Sequence, residues 1–158
     1  MKQSRRAARS LAFQVLYSLS FNTPDSLEAL QADFFKAVGM KEYNGKFEQD
    51  NSETSGQDKA EDEFPSGFAW DLVFGVWSHQ AELDKRISSF SERWKVERLG
   101  RIELTLLRMG MFELNYNKDV PVKVIISEAL ELAKQFADKK ALAFINGILD
   151  SAAKEITS

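Results

Sequence analysis

Apolar residues recur along this chain at intervals of three and four, the spacing that gathers them on one side of an α-helix. In the first such stretch, Met1 to Phe21, Ala8, Leu11, Ala12, Val15, Leu16 and Leu19 share one face, while Lys2, Arg5, Arg6, Arg9, Phe13 and Tyr17 share the other. Asn22-Thr23-Pro24-Asp25 ends this helix, because proline cannot continue it and Thr23 or Asp25 can cap the next. A second helix is expected from about Ser26 to Val38, with Leu27, Leu30, Phe34 and Phe35 as its apolar stripe and Gly39 as its stop. Pro65-Ser66-Gly67 opens a third, whose Trp70, Val73, Phe74 and Trp77 are expected in the core rather than stacked on bases. Leu83, Ile87 and Phe90 mark a fourth, ending near Ser91. Three more follow, from Leu99 to Tyr116, from Pro121 onward, and from about Asp138 to Glu155. Gly147 inside the last costs about 1 kcal/mol relative to alanine, so another helix is expected to approach closely there. No stretch shows the alternation of a strand, and the fold class is all-α.

With 158 residues the chain fits one domain, 1–158, large enough to bury a real core. It holds no apolar run of membrane-spanning length, and its N-terminus lacks the compact apolar segment of a secretory signal. The absence of cysteine excludes disulfides, thiolate metal sites and cysteine nucleophiles, and makes a reducing cytoplasm the simplest location. The net charge of −3 would argue against a nucleic-acid partner, but its distribution reverses that argument. Residues 41–63 carry eight carboxylates against three lysines, leaving the rest of the chain at +2. This polar stretch, 41–64, is too poor in apolar groups to offset its ordering entropy and reads as a flexible acidic surface loop. The alternative is an acidic mimic that occludes the basic face when RNA is absent.

The first helix is therefore electrostatically odd. Cations at a helix N-terminus oppose the macrodipole, and Arg5 and Arg9 repel each other at i,i+4. A second cationic cluster, Lys134, Lys139 and Lys140, lies beside Phe136. Cations with exposed rings suit single-stranded nucleic acid better than a duplex groove. Four N-terminal cations on phosphates would give a log–log salt slope of roughly −3. Competing chemistry is scarce: there is no phosphate loop, dinucleotide turn or metalloprotease motif, and His79 alone cannot assemble a zinc site. Glu128 and Glu131 read as a solvated helix face, and Asp71, Glu103 and Glu113 as groups that cap, pair with Arg101 or Arg108, or lie at a helix edge. No catalytic residue, metal site or cofactor is expected.

Several separated blocks go further: Arg5-Arg6-Ala7-Ala8-Arg9 with Phe13-Gln14-Val15-Leu16-Tyr17, Leu107-Arg108-Met109-Gly110-Met111-Phe112-Glu113-Leu114, Val120-Pro121-Val122-Lys123-Val124, Ser127-Glu128-Ala129-Leu130-Glu131-Leu132-Ala133-Lys134, and Phe144-Ile145-Asn146-Gly147-Ile148-Leu149-Asp150. In this order they resemble the NusB family of bacterial transcription antitermination factors. The resemblance implies two packed three-helix bundles, with the arginine-rich helix in the first, and no catalysis or cofactor. It implies binding of boxA RNA from rRNA operons together with NusE, a small-subunit ribosomal protein, within the antitermination complex of RNA polymerase. Carried over by position, the RNA-facing residues are Arg5, Arg6, Arg9, Gln14, Phe136, Lys139 and Lys140, with Phe90 as a weaker candidate. Tyr17 and Glu103 match the NusE-facing surface. A homodimer burying the basic face would have to open for RNA. Two other readings remain: a detached accessory module of an rRNA methyltransferase, and a non-catalytic helical interaction protein.

Overall fold

The computed structural model describes residues 4–43, 67–91 and 99–157. Among them are seven helices and no strand: α1 (Arg5–Leu19), α2 (Leu27–Tyr43), α3 (Phe68–Ser78), α4 (Gln80–Phe90), α5 (Arg101–Tyr116), α6 (Val122–Phe136) and α7 (Lys139–Thr157). Local chemistry explains where they begin. Ser4 Oγ accepts the Ala7 N–H at 3.0 Å to cap α1, and Asp138 Oδ1 accepts the Ala141 N–H at 3.0 Å ahead of α7. Pro121 immediately precedes α6, where its missing N–H costs no intrahelical bond. Gly67 enters α3 at φ 100°, a left-handed conformation that glycine adopts without Cβ strain.

Helices α1, α2 and α3 pack as one group, and α5, α6 and α7 as another, with α4 laid against α5 and α7. The centre is α5, which touches α1 and α3 on one side and α4, α6 and α7 on the other. Its Leu106, Leu107 and Met111 are fully buried, and they join Leu30, Val73, Leu83, Ile87, Ile125, Ile145 and Leu149 in one apolar cluster that draws on all seven helices. Such area removed from water is the main favourable contribution to folding.

The departures from expectation are local. Helix α2 continues through Gly39 to Tyr43, since Gly39 keeps an ordinary negative φ instead of the left-handed value of a cap. The first three residues of the expected acidic loop are thus helical, and its remainder, 44–64, lies outside the described residues. Leu30 and Phe34 are buried, but Leu27 and Phe35 are exposed, because only a narrow side of α2 meets α1. On α3, Trp70 and Val73 are core, Trp77 is half-buried and Phe74 reaches solvent. Gly147 is also exposed, with no atom within 4 Å of where its Cβ would stand. The close approaches fall at other glycines: a Cβ on Gly75 would overlap the Phe112 ring, and one on Gly110 would stand 2.9 Å from Leu149 Cδ1.

Candidate nucleic-acid interface

The basic face expected of α1 divides into three different environments. Arg9 is inside the protein. Its Nε donates to Glu113 Oε1 at 2.9 Å and its Nη2 to Glu113 Oε2 at 2.8 Å, with the two side chains only 5% and 4% exposed. This fork-to-fork pair ties α1 to α5, and Arg9 is unavailable to RNA. The helical wheel placed Arg9 outside because it assigns polarity by residue type, whereas a cation whose partner is buried with it can lie on an inward face. Phe13, from the same expected face, is 2% exposed.

Arg5 remains exposed, with its guanidinium 4.6 Å from the centroid of Phe68 and no ion pair among the described residues. Arg9 approaches the same ring at 5.0 Å, so Phe68 spaces the two cations. Phe68 was absent from the sequence candidates; its position beside Gly67 at the start of α3 was the available signal. Arg6 is exposed at its tip but paired: Nε reaches Glu128 Oε1 at 3.1 Å and Nη2 reaches Oε2 at 2.8 Å. Those hydrogen bonds, more than the accompanying charge attraction, hold the Glu128 carboxyl below the usual carboxylate range, against the opposing effect of its partial burial.

Arg6 meets Glu128, and seven residues later Phe13 stacks on Phe136 with centroids 4.5 Å apart. Helices α1 and α6 therefore run parallel, with a cleft between them lined in part by Ser4, Ser10, Leu132 and Gln135. Gln14 is half-buried and donates to Ser10 Oγ at 3.2 Å. Beyond Phe136, itself half-buried, Lys139 and Lys140 open α7 exposed and without ion pairs among the described residues. Lys134 is the exception in its cluster, lying 3.4 Å from Glu131. From Glu128 to Phe136 a helix advances about 12 Å; exposed Arg5 sits beside Arg6 in the chain but faces Phe68 on α3, and Lys139 and Lys140 follow Phe136 by three and four positions. The first turns of α1 and α7 contain no acidic residue, and each places cations where they oppose the helix dipole.

Tyr17 continues the aromatic row, 6.0 Å from Phe13 and edge-on to Phe21 at 5.2 Å. Arg101 covers Phe21 at 4.4 Å and donates to the Ser20 carbonyl, so it does not pair with an acidic residue of α5 as expected. Arg108 pairs with Asp84 at 2.7 Å instead, and Glu113 with Arg9. Glu103 sits in the first turn of α5 on a shallow cleft with Leu99, Lys140 and Phe144. Glu103 thus shares its cleft with Lys140, and Tyr17 connects to the start of α5 through Phe21 and Arg101. Phe90 is half-buried under Arg86 on α4, with no contact to the groove residues among those described. His79 Nδ1 lies 2.9 Å from the Gly75 carbonyl and the ring packs on Phe112 and Tyr116. Among the described residues, no cluster of His, Cys, Asp or Glu could hold a metal ion, and no helix is long and apolar enough to cross a membrane.

The NusB family model matches residues 6–154. The chain is 45% identical to the transcription antitermination protein NusB of Nitratidesulfovibrio vulgaris strain Miyazaki F, over 99% of this chain and 92% of that one. It is 38% identical to the protein of the same name from Myxococcus xanthus, over 95% and 94% of the two chains. Among solved structures, NusB of T. maritima matches with a TM-score of 0.73 at 28% identity, over 98% of this chain and 94% of that chain. A chain from a complex of the antitermination factors NusB and NusE with double-stranded RNA matches with a TM-score of 0.69 at 26% identity, over 98% and 99%.

Proposed function

Because the chain belongs to the NusB family, we propose that it is a non-catalytic, RNA-binding transcription antitermination factor of the bacterial cytoplasm. It binds boxA RNA of rRNA operons together with NusE, and the pair promotes read-through by RNA polymerase. The observation that carries the RNA-binding part is the α1–α6 cleft together with the unpaired cations Arg5 at the start of α1 and Lys139 and Lys140 at the start of α7. Phosphates of a single strand lie along such a groove while unpaired bases reach its polar walls and the half-exposed Phe136. Arg6, Gln14 and Phe136 contribute from the walls. Arg9 contributes by holding α1 in place.

Tyr17 and Glu103 supply the NusE surface, the first an amphipathic ring and the second a carboxylate for a basic partner. Lys140, a candidate phosphate contact that also lines the Glu103 cleft, gives a physical reason for the two ligands to assist each other. The test is a titration of labelled boxA RNA with the protein, with and without NusE, at two salt concentrations. Tightening by NusE and weakening by salt are expected. Equal binding of boxA and scrambled RNA would refute the specific reading and leave a helical interaction protein.

A further inference from the structure

Glu128 holds one edge of the Arg6 guanidinium through Nε and Nη2. The remaining end-on edge, Nη1 with the second N–H of Nη2, has no partner among the described residues, and 65% of the side chain is exposed. Glu128 itself is only 16% exposed, so the carboxylate is the fixed member and the guanidinium is the presented one. Arginine's planar fork makes this useful, since gripping one edge orients the other. The surrounding cleft has Leu132 at its side and the neutral polar groups of Ser4, Ser10 and Gln135 around it, with a second carboxylate, Glu131, beside it. A phosphate would gain little here, because the Arg6–Glu128 and Lys134–Glu131 pairs are each neutral overall and leave no net positive charge. A neutral base edge with two adjacent acceptors needs only the two donors of the free edge, not a net positive charge.

We propose that the α1–α6 cleft is a pocket for one unpaired guanine of the RNA, read on its O6 and N7 by the outer edge of Arg6, with Glu128 as the positioning residue. This rests on the RNA-binding reading above and divides its labour: Arg5, Lys139 and Lys140 attract the strand, while Arg6 discriminates its sequence. Arginine on guanine O6 and N7 is the commonest specific base contact, and unpaired RNA bases expose the same edge.

The division makes Glu128→Gln act in opposite directions on two RNAs. Losing the carboxylate adds one positive charge, so affinity for scrambled RNA of the same composition holds or rises and its salt slope steepens. Affinity for boxA RNA falls about tenfold, because Arg6 is no longer oriented. Arg6→Lys, which keeps the charge but cannot grip and read at once, likewise loses boxA preference while retaining scrambled binding. In an Arg6→Ala background, Glu128→Gln lowers boxA affinity no further. Replacing the guanines of boxA by 7-deazaguanine removes the N7 acceptor and reproduces the Arg6→Lys loss on the wild-type protein. Thermal unfolding of each variant is followed alongside, and a fall in boxA affinity with unchanged melting supports the proposal. If Glu128→Gln strengthens boxA and scrambled RNA alike, the carboxylate merely masks charge and the proposal is overturned. An insensitivity to 7-deazaguanine also overturns it. A wild-type protein with no preference for boxA would instead remove the underlying RNA-binding reading, an outcome visible before any variant is made.

Discussion

Arg9 and Glu113, 104 positions apart in the chain, form a bidentate ion pair sealed between α1 and α5. Desolvating two charges is costly, and a forked geometry offsets much of that cost only while both members are present. Arg9→Ala or Glu113→Ala is therefore expected to destabilise the fold by about 3–5 kcal/mol, measured by denaturant unfolding. Arg9→Met combined with Glu113→Leu should recover most of the loss, since an apolar pair of similar size leaves no buried charge. RNA affinity in Arg9→Ala should decline only as far as the folded fraction does. A loss of binding by fully folded protein would return Arg9 to the RNA surface.

Glycine substitutions should separate by sign. A Cβ at Gly75 meets the Phe112 ring, which is itself packed against His79 at 5.9 Å and Tyr116 at 5.2 Å and has little room to withdraw. Gly75→Ala is expected to cost about 1–3 kcal/mol through overpacking. Gly147→Ala enters open space in the middle of α7 and should stabilise by about 0.5–1 kcal/mol through its helix propensity. Chemical denaturation of both variants checks the pair, and equal signs would contradict the packing described.

These two cases show where the chain could be read in advance and where it could not. The helices were legible because each has enough core-facing residues at three- and four-residue spacing to declare its period, as with Leu11, Val15 and Leu16 on α1 or Ile145, Leu149 and Ala152 on α7. Periodicity names a face without naming its neighbour. Arg9 was assigned outward, and Glu113 was given a cap, a nearby arginine or a helix edge as its setting, because nothing local to either reports a partner on another helix. Gly147 invited a close contact for the same reason that Gly75 and Gly110 escaped notice, since a glycine records no information about what approaches it. The candidate groove was half legible. Arg5, Lys139 and Lys140 stand exposed as read, whereas Arg6 and Phe136 acquire their arrangement from Glu128 and Phe13 across the parallel helices.

The Arg6–Glu128 pair gives stability a defined pH dependence. Glu128 is held below its ordinary value chiefly by hydrogen bonds from Arg6, so the folded state binds this proton less readily than the unfolded state does. The stabilisation is present above the unfolded carboxylate pKa, about 4.3, and is lost as pH falls through the lower folded value. Arg6→Ala should raise the Glu128 pKa in a carboxyl NMR titration. The stability difference between wild type and Arg6→Ala should be present at neutral pH and vanish in acid. A difference that persisted below the folded pKa would mean that Arg6 acts through packing instead.

The salt dependence of RNA binding follows from which cations are free. Four N-terminal cations on phosphates would have given a slope near −3, but Arg9 is buried and Arg6 is neutralised by Glu128. Among the described candidate RNA-binding cations, Arg5, Lys139 and Lys140 remain, and at about −0.7 per phosphate on a single strand they contribute about −2. Replacing any one of them by alanine should shallow the slope by about 0.7 and weaken boxA and scrambled RNA to similar extents, since phosphate contacts carry no sequence information. The fold should tolerate each change, because all three side chains are exposed and only Arg5 makes a ring contact, with Phe68. Fluorescence anisotropy over a series of salt concentrations measures slope and affinity together. A slope unchanged by Lys139→Ala and Lys140→Ala would place the strand away from the start of α7 and confine the RNA to the start of α1.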